Sequence, residues 1–469
     1  MEHLNTLRLG AWPALTETNT KTGILLCASA ALVFVSTLAI FYLPAVFSLT
    51  FPFALLAAAV VVRWPMESVI GFFVARMTVD ILWWVPAGLG LNFMEAFTGA
   101  ITLLLVVLCV RDMEAILNHR FFPMVALWTV LLLVAAAQQP EFRVVAELLA
   151  RFQSPVMIML LVSIHFQSET SRRWLMGGLL AGGVIPITLG VFSWITGQAV
   201  TFQLSGYERL AGAYSNIADH GLSMATFATL GLFWLLQRRV NWRSVVLTGY
   251  IGLALLLLAL TYTRTPLTGL ALFVPIFLYL HGARKTLGLF VLAVMVLLAT
   301  NSVLQDRFSD IANLFTADAG VQFDRLGSGR LGIWRRSAEA YFRQPFLHIL
   351  IGNGLNSQYN LAGEGQDSHG DYLSTLFQIG PLGLILWMWF QVETTVRGLR
   401  ELRFATHPAT RSLLIFAVAM AASVFACNTL SNAYMSRVTM SWIWWGVVGL
   451  VYAIHAERTT ALERVSEAT

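Results

Sequence analysis

Residues 323–346 read FDRLGSGRLGIWRRSAEAYFRQPF, and residues 351–384 read IGNGLNSQYNLAGEGQDSHGDYLSTLFQIGPLGL. The polar segment 302–370, to which most of these residues belong, lies between long apolar segments. Charged side chains are costly in a membrane and are usually kept there for a function. A largely apolar chain that gathers arginine, aspartate, glutamate and histidine in one loop therefore predicts a functional surface at that loop.

The composition indicates that this loop belongs to a membrane protein. Hydrophobic residues make up 57% of the 469 positions and charged residues only 12%, whereas soluble domains carry roughly a quarter charged residues. Apolar segments recur along almost the whole chain, and a bilayer-spanning helix needs about 20 such residues. The sequence predicts an all-α integral membrane protein with about 12 to 14 transmembrane helices. We expect one polytopic domain over residues 1–469, with the loop 302–370 inserted between helices.

The short basic connections predict the orientation of the helices. Arginine and lysine are enriched on cytoplasmic loops. With the amino terminus in the cytoplasm, the short connections that hold Arg63, Arg111, Arg172, Arg284 and Arg397 all fall on the cytoplasmic side. The long loop and its short helices then lie on the outer side of the membrane.

Several arginines remain on the outer side, and two of these stand out. Arg264 lies in TYTRTP, between two apolar segments with almost no linker, and Pro266 suits the first turn of a new helix. The free N–H groups and positive dipole end of that helix would favour an anion near the arginine. Arg209, in GYERLAGAYSN, also lies just before an apolar helix. The two arginines either bracket a diphosphate or anchor the helices at lipid headgroups.

A charge pair is also expected inside the membrane. Arg76 and Asp80 are four residues apart and therefore share one face of a predicted helix. Such a pair marks a substrate pathway or is a neutralised structural pair between packed helices, and the sequence leaves both interpretations open.

His369 is the candidate catalytic residue of the loop. It follows Asp367 closely and opens an apolar helix on the outer side. An imidazole there could accept a proton from a sugar hydroxyl, with the carboxylate orienting the ring. His220, in ADHGLSMA, is a weaker candidate near Arg209. Arg330 opens a predicted amphipathic helix, whose basic face contacts either lipid headgroups or a diphosphate or anionic sugar.

Four motifs resemble the bacterial O-antigen ligase/polymerase superfamily. They are RLAGAYSN, TYTRTP, SGRLGIW followed by IGNGL, and SHGDYLSTLFQIGPLG, and they cover roughly Gly206 to Trp389. Ligases usually carry Asn, Ser or Gln after the histidine, whereas this chain has Gly370.

The resemblance implies an inverting, metal-independent glycosyltransferase without a cofactor. Its donor would be an undecaprenyl-diphosphate-linked glycan, and its acceptor a glycan or lipid A–core. The reaction would take place on the periplasmic face of the bacterial inner membrane. Arg209 and Arg264 would hold the diphosphate and His369 would act as base, assisted by Arg330, with Asp367 and His220 in support.

Two other classes of function remain open. A transporter or flippase for lipid-linked sugars would also have many helices, although transporters more often show internal repeats. A structural subunit of an export complex is a third possibility. The composition gives no reason to expect a nucleic-acid partner.

Overall fold

The computed structural model describes residues 45–88, 91–139, 141–204, 207–212, 214–237, 241–300, 302, 305, 330–357 and 370–468. The chain divides into two compact units, residues 1–65 and 66–469. The described part of the first unit is built on helix α1 (Ala45–Arg63). The second unit carries the candidate site.

The second unit consists mainly of helices. In chain order they are α2 (Pro65–Val79), α3 (Phe93–Arg111), α4 (Met113–Leu117), α5 (Phe122–Ala137), α6 (Phe142–His165), α7 (Glu169–Gly182), α8 (Val184–Ile195), α9 (Ile217–Leu236), α10 (Trp242–Thr261), α11 (Arg264–Leu280), α12 (Arg284–Thr300), α13 (Arg330–Phe342), α14 (Phe346–Ile351), α15 (Asp371–Phe404), α16 (Pro408–Leu430) and α17 (Val438–Ala468). A 3-10 turn (Asp80–Leu82) follows α2.

Two short hairpins complete the described part. Strands β1 (Pro86–Gly88) and β2 (Leu91–Asn92) pair antiparallel, as do β3 (Val200–Leu204) and β4 (Tyr207–Gly212). In the second hairpin Phe202 pairs with Arg209. Helices otherwise dominate, and the predicted all-α class is confirmed.

The lengths and apolar character of the helices confirm an integral membrane protein. Within the described residues, six helical segments are long and apolar enough to cross a bilayer: α3, α7 with α8, α10, α15, α16 and α17. Shorter apolar helical segments are 54–63, Phe122–Ala137 and Arg264–Leu280. The predicted total of about 12 to 14 spans stays a prediction.

Helix α17 lies at the centre of the second unit. Of its apolar window 89% is buried inside the protein, against 17% for α3. A helix that is apolar all round and buried belongs to the core, whereas α3 leaves most of its apolar surface for lipid. Trp442, Trp444 and Trp445 of α17 are almost fully buried, and the Trp442 indole donates to Ser154 Oγ of α6 at 2.8 Å.

A proline-induced break in α15 anchors part of the polar loop. Pro381 has no N–H to donate to the carbonyl of Phe377 four residues back. Asn353 N–H and Ser357 Oγ donate to that carbonyl instead, at 2.8 and 3.1 Å. Gly380 has φ 79°, and a Cβ there would lie 2.8 Å from Gly352 N. The IGNGL and FQIGPLG motifs therefore dock onto each other through their backbones.

The rest of the predicted loop is described only in part. Helix α13 confirms the short amphipathic helix expected there, and it begins at Arg330. Gly332, Ser337 and Tyr341 of this helix are buried, whereas Arg335 and Arg336 are exposed. Most of residues 302–329, and all of 358–369, lie outside the described residues.

Candidate functional site

The end of α16 and the turn to α17 contact Arg330, the start of α11 and the start of α15. We call Cys427–Arg437 the hub turn. Asp371, the first residue of α15, is fully buried and accepts hydrogen bonds from the backbone N–H groups of Ala433, Met435 and Ser436 at 2.7, 3.0 and 3.1 Å. The Ser436 hydroxyl donates to the same carboxylate. Hydrogen bonds to a carboxylate are charge-assisted and therefore strong. The four hydrogen bonds to Asp371 hold the hub turn against the start of α15.

The junction of α10 and α11 is short, as the sequence predicts. Helix α10 ends at Thr261 and α11 begins at Arg264, with Tyr262 in the left-handed region at φ 47°. Thr263 N–H donates to Thr261 Oγ1 at 3.2 Å, and the two threonine hydroxyls lie 2.5 Å apart. The half-buried Arg264 therefore lies at the positive end of the α11 dipole.

Arg209 reaches this junction from β4. Its Nε donates to the carbonyl oxygen of Thr261 at 2.9 Å, and the side chain is only 9% exposed. The carbonyl belongs to the residue that ends α10, three positions before Arg264. The structure therefore brings Arg209 against the turn that presents Arg264, which the sequence proposed without being able to show.

The same junction packs against α9 and the hub turn. A Cβ at Gly221 of α9 would lie 2.5 Å from Thr263 Oγ1 and 3.0 Å from Pro266 Cγ, so glycine allows this close approach. Cys427 Sγ donates to the Thr265 carbonyl at 3.4 Å. The start of α11, the start of α9 and the end of α16 therefore lie together.

Arg330 and Gly370 approach the hub turn from the polar loop. The Arg330 guanidinium donates to the carbonyl of Leu430, and a Cβ at Gly370 would lie 3.5 Å from the carbonyl oxygen of Thr429. The candidate base His369 and its partner Asp367 lie outside the described residues. Gly370, which follows His369 in the sequence, therefore lies against the same hub turn as Arg330.

His220 lies near the start of α9, and its side chain is buried in the protein. Its ring is fully buried, its centroid lies 5.4 Å from that of Tyr214, and a Cβ at Gly212 would meet it at 2.8 Å. Both ring nitrogens are buried without a hydrogen-bond partner in the described structure. Its position is close to the end of β4, as the sequence suggested, and its supporting role stays a prediction.

A polar cavity of about 220 Å³ opens beside the hub turn. Its charged lining consists of Arg76, Asp80, Arg151, Asp219 and Arg437. Arg76 Nη1 lies 2.6 Å from Asp80 Oδ1, which confirms the expected pair, and Arg437 forms an ion pair with Asp219. Burial, with a contribution from nearby Arg151, lowers the pKa of Arg437 to about 10. Arg437 therefore stays protonated at neutral pH.

Sequence reasoning missed the partner of Asp371 and the polar cavity. An acidic residue in the first turn of a helix is ordinary, and nothing local indicates that the partner of Asp371 lies 62 residues away. Nothing in the local sequence pairs Arg437 with Asp219 either. In the described part of the chain, no three His, Cys, Asp or Glu side chains are close enough to share a metal ion.

Comparison with known protein families gives one match. Residues 249–388 match the family described as O-Antigen ligase. This region, about 30% of the chain, is therefore similar to the O-antigen ligase family. The matched region runs from within α10 to within α15 and includes Arg264, Arg330 and His369, whereas Arg209 and the hub turn lie outside it. No curated protein matches the chain. The predicted resemblance is thereby confirmed.

Proposed function

We propose that the protein transfers a glycan from an undecaprenyl-diphosphate-linked donor to an acceptor hydroxyl at the periplasmic face of the bacterial inner membrane. The acceptor is a growing glycan in a polymerase or lipid A–core in a ligase. The observation that carries the proposal is the hydrogen bond from Arg209 to the carbonyl of Thr261. Thr261 lies three residues before Arg264, which begins α11, and both belong to the region that matches the O-antigen ligase family.

The two arginines provide the electrostatic part of the reaction. When the glycosidic bond to the donor breaks, negative charge develops on the diphosphate. Arg264 begins α11, at the positive end of the helix dipole, and Arg209 donates to Thr261, three residues before it. Together they would give the leaving diphosphate a positively charged environment. Preorganised charge of this kind stabilises a developing anion without rearrangement during the reaction. It also provides the leaving group with a cationic partner, so the proposed mechanism needs no metal ion.

His369 would provide the base. Its imidazole accepts the proton of the acceptor hydroxyl, and the acceptor oxygen attacks the anomeric carbon of the donor. The bond from that carbon to the diphosphate oxygen breaks, and undecaprenyl diphosphate leaves with the electron pair. One displacement inverts the configuration at the anomeric carbon. Asp367 would orient the imidazole, and Arg330, which contacts Leu430 on the hub turn, would assist at the leaving group.

A transporter or flippase for lipid-linked sugars is the second candidate. The observation in its favour is the Arg76–Asp80 ion pair, which is mostly buried and lines a polar cavity. Ionisable residues within membrane helices often mark transport pathways. A transporter, however, moves its substrate between two membrane faces and forms no glycosidic bond.

The test uses purified protein in detergent with a defined undecaprenyl-diphosphate-linked glycan and an acceptor. We expect a new glycosidic bond and free undecaprenyl diphosphate, without ATP or an ion gradient. The product should be the same in the presence of a chelator, because arginines provide the positive charge. Absence of any product with both ligase and polymerase acceptors would contradict the enzyme assignment. Product that requires added magnesium would contradict the metal-independent mechanism alone.

A further inference from the structure

We propose that the polar cavity lined by Arg76, Asp80, Arg151, Asp219 and Arg437 binds a monoanionic sugar residue, such as a uronic acid, of the glycan substrate. The inference rests on the proposed glycan transfer, because that function brings glycan chains to this end of the bundle. It adds a sugar subsite that is separate from the Arg209–Arg264 diphosphate site.

The position of the cavity connects it to the candidate reaction centre. Ser436 and Arg437 line the cavity and belong to the hub turn. The same Ser436 is hydrogen-bonded to Asp371, two residues after the candidate base His369. Asp219, also in the lining, is on the first turn of α9, two residues before the glycine that packs against the α10–α11 junction. A glycan that reaches the junction therefore passes close to the cavity.

The charge of the lining favours one negative charge on the ligand. Three arginines and two aspartates give the lining a formal charge of +1. A sugar with a single carboxylate suits this balance of charges. A diphosphate carries more negative charge and would face two carboxylates at close range, where like charges repel. The Arg209–Arg264 junction differs because its positive charge is reinforced by a helix terminus.

The chemical groups in the cavity suit a sugar ring. Each guanidinium carries five N–H donors in a planar fork that matches a carboxylate. The two aspartates accept hydrogen bonds from sugar hydroxyls, and Ser215, Ser223 and Tyr214 also line the cavity. The cavity volume of about 220 Å³ is several times larger than the roughly 30 Å³ that one water molecule occupies in the liquid. There is room for one ring with its substituents.

The contacts around the cavity hold its charged side chains in place before a ligand arrives. Arg76 is only 4% exposed and is paired with Asp80, which accepts a hydrogen bond from Thr439. Arg437 is paired with Asp219, and its Nε donates to the carbonyl of Asn432 at 2.8 Å. Side chains that are fixed in advance lose little entropy on binding.

The test measures binding of sodium D-glucuronate, D-glucose and sodium phosphate to the full-length protein in detergent by isothermal titration calorimetry. We expect D-glucuronate to bind at least tenfold more tightly than D-glucose or phosphate. In Arg437→Gln the affinity for D-glucuronate should fall about tenfold or more, as expected for loss of a hydrogen bond to a charged group. Arg173→Gln is the matched control, because Arg173 is 57% exposed and lies outside the lining. It should bind D-glucuronate like the wild type.

A second variant covers the case in which Arg437→Gln does not fold. Ser215 is exposed at the cavity, so Ser215→Trp should fold and fill the space, and D-glucuronate binding should be lost. Absence of D-glucuronate binding to the wild type, or binding that Ser215→Trp leaves unchanged, overturns the proposal. Phosphate that binds as tightly as D-glucuronate and is lost in the same variant also overturns it, because the cavity is then a phosphate site.

The same experiment separates this inference from the proposed function. Arg264→Ala should retain D-glucuronate binding, because Arg264 is outside the cavity lining. If purified protein binds D-glucuronate in the cavity but forms no glycosidic bond, the transferase proposal fails and the sugar site remains. If it forms the bond but does not bind D-glucuronate, the sugar site fails and the transferase proposal remains.

Discussion

Two clusters of charged residues, at opposite ends of the long helices, differ in what surrounds them. At the cavity end, arginines and aspartates from α2, the 3-10 turn after it, α6, α9 and the hub turn surround an open space. At the other end, α15 and α17 are joined by Arg397, Glu401, His455 and Arg458, which we call the clasp. Glu401 is 2% exposed and accepts from Arg458 Nε and Nη2 at 2.7 and 3.0 Å, and it lies 2.8 Å from His455 Nδ1.

This difference separates charges that hold the fold from charges that are available to a ligand. In the clasp, opposite charges face each other directly across two packed helices. Removing one partner of such a pair leaves an uncompensated buried charge. At the cavity end, the charged pairs border an open space, so a ligand that enters it can also contact them. We therefore expect substitutions in the clasp to change stability, and substitutions at the cavity end to change binding or catalysis.

The largest effect is expected in His369→Ala. The variant should fold and insert into the membrane but lose glycan transfer by roughly 10²- to 10⁴-fold, the usual contribution of a general base. Transfer is measured with the purified protein, and folding by size-exclusion chromatography and thermal unfolding. In cells, mature polysaccharide should disappear and the lipid-linked precursor accumulate. Normal product from this variant would exclude His369 as the base.

Arg264 and Arg209 should give the next largest effect. Arg264→Ala and Arg209→Ala should each reduce kcat/KM for the donor by roughly 10- to 100-fold, because each would remove the proposed charge-assisted hydrogen bonds to the diphosphate. Arg264→Lys should recover only part of this loss, because an ammonium group cannot make the bidentate contact of a guanidinium. Full activity of Arg264→Lys would mean that a point charge is sufficient. Unchanged activity of both alanine variants would place the diphosphate elsewhere.

The clasp provides the converse test. Glu401→Gln should lower the free energy of unfolding by about 3 kcal/mol, because Arg458 loses its buried anionic partner. Transfer per folded molecule should remain near the wild-type value. Thermal unfolding in detergent measures the first quantity and the transfer assay the second. Glu339→Gln is the control, because Glu339 and its partner Arg335 are 57% and 54% exposed, and its effect on stability should be smaller. A large loss of activity without loss of stability in Glu401→Gln would contradict the comparison.

The smallest effect is expected on the exposed side of α13. Arg335 and Glu339 are 54% and 57% exposed, and their charged atoms are 4.0 Å apart. Exposed pairs of this kind contribute little, so Arg335→Gln should leave stability and transfer unchanged. Arg330→Gln, on the same helix but in contact with Leu430, should lower transfer severalfold. Equal losses in the two variants would show that the whole basic face of α13 takes part.

Several features of the site follow from local sequence alone. The Arg76–Asp80 pair depends on a spacing of four residues on one helix, and it forms as expected. The short junction before Arg264 follows from Pro266 between two apolar segments, and helix α13 from its own amphipathic pattern. The all-α membrane class follows from the length and frequency of the apolar segments. Each of these depends on residues that are close in sequence, so the sequence determines them.

The contacts between distant segments are decided only by the tertiary structure. Arg209 meets Thr261 across 52 residues, and Asp371 meets the hub turn across more than 60. Arg437 pairs with Asp219, which comes from a different part of the chain. In a membrane, an apolar helix can pack against many neighbours, since hydrophobicity does not distinguish lipid from another helix. Close approaches such as that of Gly221 to Thr263 and Pro266 decide which helix ends pack together. This packing forms the cavity and brings Arg209 to the α10–α11 junction.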